Sequence, residues 1–188
     1  YTVTTGVLAR SVLQQEYGLS AFRAGAREHL DGAAIDRRGT FPVAEMQGLK
    51  ELGMFGMTIP EAYGGSGLPL TSYCRLMEEI CRPCAAPATI IGAHLGIGSK
   101  GVVLYGTEEQ KTRWLPAAAR GDLLCAYALT EPASGSDAAS LKTRAVWDPS
   151  RRVFVLNGSK RFITNGGHAG LFTVFARTEV GGEDRISA

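Results

Sequence analysis

Residues 127–137 read Tyr127-Ala-Leu-Thr-Glu-Pro-Ala-Ser-Gly-Ser-Asp137, and residues 158–166 read Gly158-Ser-Lys-Arg-Phe-Ile-Thr-Asn-Gly166. The first stretch predicts the end of a strand over 123–129. Pro132 stops it, because proline has no ladder donor and a fixed φ. Beyond the proline lies a loop of small residues, with Gly135 free to take positive φ and Ser134 and Ser136 able to donate hydroxyls. Such a loop turns several backbone N–H groups toward one point, which suits an electron-rich ring or a phosphate. The second stretch predicts a short strand over 159–163, with Phe162 and Thr164 on one face because they lie two residues apart. One aromatic and one hydroxyl on a face make a wall for a flat heterocycle.

Working outward, the chain changes character near Gly121. Before it the periodicity is helical, with helices predicted over 7–17, 20–35, from Pro42 to about Gly53, 70–82 and 87–104. Thr107-Glu-Glu-Gln110 is a capping-box pattern opening a short helix that Pro116 bends or ends. After Gly121 come short strands, predicted over 123–129, 142–147, 152–157, 159–163 and 170–177. Trp147 to Arg152 supplies a hairpin turn through Asp148 and Pro149. The fold class expected is α+β, with an all-α helical domain over 1–120 and a β domain over 121–188. So few strands leave the second domain incomplete, and the chain reads as a fragment.

The 188 residues suffice for one ordinary domain or two small ones. With 45% hydrophobic and 20% charged residues the chain can build a core and is not expected to be disordered. A formal net charge of +2 without a basic cluster argues against a nucleic-acid partner. The most apolar stretch, 85–104, is interrupted by Pro87, Lys100 and several glycines, so no transmembrane run is expected. The chain starts at Tyr1 without a methionine, which leaves a removed targeting segment open. Cys81 and Cys84 have redox or zinc spacing but no second pair. Leu70, Tyr73, Cys74, Met77, Ile80, Cys81 and Cys84 read instead as one apolar helical stripe of reduced thiols. His29, His94 and His168 share no ligand or triad spacing and are expected to be structural.

Together the two opening motifs resemble the flavin-binding signature of the acyl-CoA dehydrogenases, in which TEPxxGSD and KxWITNG line the middle domain's side of the FAD site. Leu49 to Gly56, Thr107 to Lys111, Thr130 to Ser140 and Asn157 to Thr178 are similar to the very-long-chain branch. The likeness runs from about residue 40 to the last residue. It implies an N-terminal all-α helical domain, an incomplete middle β-barrel or sandwich domain, and a C-terminal helical domain absent from these residues.

The resemblance also implies roles. Thr130 and Thr164 would hydrogen-bond the flavin's pyrimidine side and N5, where donors stabilise the added electrons. Tyr127, Leu129, Ser136 and Ile163 would also meet the flavin, with Ser136 near the pantetheine arm of the substrate. Phe162 stands where the family has tryptophan and would stack with less area and no indole donor. Glu131 and Asp137 are expected to cap local N–H groups, and neither is the family's base. That glutamate would lie in the C-terminal helical domain. Thr89, Gly92, Ala93 and Gly96 fall on one helix face. It is either a close helix contact or a groove for a long acyl tail. The implied reaction is α,β-dehydrogenation of a fatty acyl-CoA, as in β-oxidation. The β-hydride passes to flavin N5, and the electrons pass on to an electron-transfer flavoprotein.

A homo-oligomer, dimer or tetramer, is implied for the full-length protein. Two alternatives stay open: a flavoprotein-fold scaffold resembling a complex I assembly factor, and an inactive truncated product. Bacterial cytoplasm and mitochondrion are both open.

Overall fold

A computed structural model describes residues 24–188. The helix expected over 7–17 and the start of the one over 20–35 lie outside the described residues. The rest of the latter divides: residues 24–29 are helical, and α1 (Gly32–Arg38) starts anew behind Asp31. The Asp31 carboxylate accepts from the Ala34 amide at 3.0 Å, a local bond that competes with continuing the helix. Pro42 then precedes α2 (Val43–Glu51), as its preset φ favours, and two 3-10 turns lead to α3 (Leu70–Cys81).

The face that α3 buries differs from the predicted stripe. Leu70 is 71% exposed, Cys74 and Cys81 are exposed, and the buried residues are Leu76, Glu79 and Ile80. Tyr73, Leu76, Met77 and Ile80 form the i, i+3, i+4, i+7 row toward the core. Glu79 can be buried beside them because the Arg75 and Arg82 guanidinium groups reach it at 4.0 and 3.4 Å.

One run from Ala85 to Tyr105 follows, long and apolar enough by length and composition to cross a membrane, contrary to the expected interruption. It is not a regular helix. α4 (Ala85–Gly92) widens into a π turn (Ala93–Gly98) before α5 (Lys100–Tyr105). The π turn packs on the first strand so closely that a Cβ at Gly98 would stand 2.9 Å from that of Cys125. α6 (Glu108–Arg120) opens on the capping box, with Gln110 N–H to Thr107 Oγ1 at 3.2 Å and Thr107 N–H to Gln110 Oε1 at 2.9 Å. Pro116 does not end α6. It removes one backbone bond, and the alanines after it are good helix formers that carry the chain to Gly121 at φ 75°.

The β part forms two sheets. β1 (Cys125–Ala128), shorter than the strand expected over 123–129, pairs in parallel with β4 (Leu171–Val174). The second sheet has the order β3-β2-β5-β6, from β2 (Arg144–Asp148), β3 (Val153–Asn157), β5 (Ala176–Val180) and β6 (Glu183–Ser187). The strand expected over 170–177 is therefore two strands. The chain crosses from one sheet to the other at Phe175, whose N–H donates to Ala128 O at 3.1 Å. β5 and β6 are joined by Gly181 and Gly182, both at positive φ.

His94, on the π turn, is completely buried and structural. Its Nδ1 accepts from the Cys125 amide at 3.0 Å, so the proton sits on Nε2, which donates to Ala118 O (3.1 Å) and Phe55 O (3.2 Å). Burial lowers its pKa from 6.5 to about 4, against the raising effect of the two carbonyls. A folded-state pKa below the unfolded value means the unfolded chain binds the extra proton first. Stability is thus full above pH 6.5 and falls as pH drops toward 4, by roughly 3 kcal/mol from this group. His94→Gln should flatten that part of the pH profile in urea unfolding. His94→Leu, which leaves the Cys125 N–H and the Phe55 carbonyl without the His94 bond while Ala118 O keeps the Gly121 N–H, should cost roughly 2–5 kcal/mol at pH 7.

Candidate functional site

The two sequence motifs meet in space. The Arg161 N–H donates to Thr130 O at 2.8 Å, and Lys160 Nζ donates to Leu129 O at 3.0 Å. The second motif does so without being a strand. Residues 158–170 are turns and irregular chain, and Phe162 and Asn165 take φ values of 57° and 68°. Left-handed residues break strand pairing, so the two-residue alternation that put Phe162 and Thr164 on one face does not operate here.

The conformation instead presents Phe162 outward. The residue is 79% exposed, with the Arg161 guanidinium 4.5 Å from the ring centroid. Thr164 and Ser136 are exposed, and Thr130, Leu129, Ile163 and Tyr127 are half-buried. Tyr127 leans on Phe175, with ring centroids 4.9 Å apart. Ser136, Thr164 and the aromatic face of Phe162 are thus accessible on adjoining loops, with Thr130 half-buried and Ser134 buried against Asp137 O. That arrangement fits a flat, electron-rich ring better than a metal, and no group of three metal-ligating side chains occurs among the described residues.

Asn165 ties these loops to the helices. Its Nδ2 donates to Cys125 O at 3.1 Å and to Ile90 O at 3.0 Å. His168, three residues on, stacks on Phe41 with centroids 3.9 Å apart. Sequence reading singles out neither Asn165 nor Lys160. Both sit inside the quoted motif, but their partners lie 29 to 75 residues away, which no local pattern reports.

Glu131 caps N–H groups, though not local ones. It accepts from the Lys142 and Thr143 amides at 2.7 and 2.9 Å and from Lys160 Nζ at 2.8 Å. Burial pushes its pKa up, but these donors outweigh that and hold it at about 2. A carboxylate so engaged is a poor base. Asp137 holds Ser140 Oγ with its carboxylate and Ser134 Oγ with its carbonyl, the latter at 2.7 Å.

The small-residue face of α4 is only partly one face. Thr89 is exposed and Ala93 half-buried, and a Cβ on Gly92 would lie 3.8 Å from Met77 and Tyr73 of α3. The π turn then carries Gly96 round from that row, where it has open space within 4 Å.

Two family models cover nearly all of the chain: the acyl-CoA dehydrogenase N-terminal domain over residues 14–122 and the acyl-CoA dehydrogenase middle domain over 126–188. The chain belongs to the acyl-CoA dehydrogenase family. The mitochondrial very long-chain specific acyl-CoA dehydrogenase of Macaca fascicularis is 52% identical over 135 residues, 72% of this chain and 21% of that one. Among solved structures, the butyryl-CoA dehydrogenase of Megasphaera elsdenii matches at TM-score 0.78 and 33% identity, over 86% of this chain and 44% of that one. An acyl-CoA dehydrogenase of Bacillus anthracis solved in complex with FAD matches at TM-score 0.69 and 36% identity, over 94% of this chain and 29% of that one. This acyl-CoA dehydrogenase chain thus spans about a fifth of the length of its curated very-long-chain relatives.

In this family member the Asn165 bonds can be tested directly. Asn165→Gly keeps the left-handed backbone but loses both donors, at a cost of roughly 2 kcal/mol. Asn165→Asp turns a carboxylate on two carbonyls and should cost more, read as a larger drop in the thermal midpoint.

Proposed function

We propose that this chain carries part of the FAD and substrate site of an enzyme that dehydrogenates fatty acyl-CoA thioesters between Cα and Cβ. The observation that carries the proposal is Phe162, an aromatic held outward at left-handed φ beside accessible hydroxyls. A strained backbone and a solvated ring are both unfavourable in a loop with no ligand to meet. Phe162 would stack on the isoalloxazine, and Tyr127, Leu129 and Ile163 would close its apolar edge. Thr130 and Thr164 would donate to the pyrimidine side and to N5, and Ser136 would reach both the flavin and the pantetheine arm. Flavin, when bound, supplies the hydride acceptor that no side chain can provide.

Neither carboxylate of these loops is assigned the α-proton, because Glu131 is saturated with donors and Asp137 is tied to its own turn. The family resemblance assigns that step to a glutamate of the C-terminal helical domain, and the electrons to an electron-transfer flavoprotein. Thr89 and Ala93 would floor the acyl channel, and Gly96, carried round by the π turn, would flank it with open space that favours long chains.

Thr164→Val in the full-length protein should weaken FAD retention or shift its reduction potential, by on the order of 1.5–3 kcal/mol for one lost bond to a charged ring. An unaltered spectrum, FAD content and potential would remove Thr164 from the site. Ala93→Leu should lower turnover of long acyl chains more than short ones. Equal losses at both lengths would make this face a packing contact.

A further inference from the structure

We propose that the buried Glu131–Lys160 ion pair is the positioning element of the cofactor pocket, locking the Thr130 loop against the Phe162 turn. The proposal rests on the flavin reading above. Both side chains are nearly inaccessible, at 6% and 12% exposed, with Nζ to Oε1 at 2.8 Å. A buried pair of this kind lasts only if its remaining hydrogen-bonding capacity is met, and here it is met by backbone. Glu131 takes the Lys142 and Thr143 amides, and Lys160 gives a second bond to Leu129 O. Two charges therefore join three segments of chain: 129–131, 142–143 and 160–161.

No strand ladder joins the first and third of these. Residues 129–130 lie past the end of β1, and residues 158–161 belong to no strand. The Arg161 N–H to Thr130 O bond is the one backbone hydrogen bond between them among the described residues. The residues assigned to the cofactor sit immediately beside these joints. Leu129 and Thr130 adjoin Glu131, and Phe162 to Thr164 follow Lys160 by two to four positions. Lys160 and Glu131 need not touch the ligand. They set the spacing between Thr130 and Phe162, and a pocket loosened there loses both donors and stacking surface at once.

The test uses the full-length protein and three forms: unaltered, Lys160→Arg, and Lys160→Met combined with Glu131→Gln. The double variant removes both charges together, which spares the fold an unpaired buried ion. FAD affinity is read by flavin fluorescence titration, the pocket by the visible spectrum and reduction potential, and folding by thermal unfolding. The expected result is a double variant that folds, binds FAD at least 10-fold more weakly and shows a shifted spectrum and potential, with Lys160→Arg partly restoring both. A folded double variant with unaltered affinity, spectrum and potential would overturn the positioning role. Absence of FAD binding by the unaltered protein would overturn the flavin reading itself. If the double variant does not fold, hydrogen exchange on the unaltered protein decides. Slow exchange at the Lys142, Thr143 and Arg161 amides, slowed further by FAD, supports the lock. Exchange at the rate of free loop, or no response to FAD, overturns it.

Discussion

The backbone of Cys125 is held from both sides, and the rest of the molecule is arranged around that grip. His94 accepts from the Cys125 N–H, and Asn165 donates to the Cys125 carbonyl. The same His94 binds Phe55 and Ala118, and the same Asn165 binds Ile90. Two polar side chains thereby join the 3-10 turn after α2, the α4 helix end, α6, the first strand and the second motif. The His94 and Asn165 side chains are buried, so a bond missing at the Cys125 amide leaves a desolvated dipole, and the geometry is held more tightly than apolar contact alone could hold it. The apolar core around them, including Phe55, Leu95, Leu115 and Cys125, fills the space that the hydrogen bonds define.

The π turn answers the same demand. The Ala93 N–H already reaches back to the Ile90 carbonyl, and a regular helix would aim His94 elsewhere. The wider winding lets Asn165 reach Ile90 O while Ser99 N–H pairs with His94 O at 2.8 Å. Local winding energy is given up, and a polar joint between helices and sheet is gained.

Much of this is legible in the sequence. The capping box at Thr107, the Pro42 helix start, the Asp148 hairpin and the change of character at Gly121 rest on local chemistry, and local chemistry is what a sequence displays. The structural role of His94 is legible from its apolar neighbours. Periodicity misleads where it is read without its context. A two-residue alternation across Phe162 and Asn165 fails because both take left-handed φ. A helical stripe through Cys74 and Cys81 lies one row too far round α3, since Glu79 is buried and those cysteines are not. The Gly181-Gly182 pair is a strong hairpin signal, and it marks the start of β6 more surely than any apolar pattern there. The Glu131–Lys160 pair spans 29 residues and carries no local mark at all.

The π turn also makes residue count a structural quantity. Six residues from Ala93 to Gly98 occupy a winding that a regular helix would complete with fewer. Losing one of them would let the segment close as ordinary helix with its flanking turns still in phase, whereas losing one residue from α4, which has no such slack, would rotate everything beyond by about 100°. Gly98 would turn from Cys125, and Gly101 from Thr173, whose hydroxyl now donates to Gly98 O at 2.9 Å. Most of a protein's insertions and deletions fall in surface loops that absorb them. Here a single-residue loss from α4 would be transmitted through the helix into the sheet.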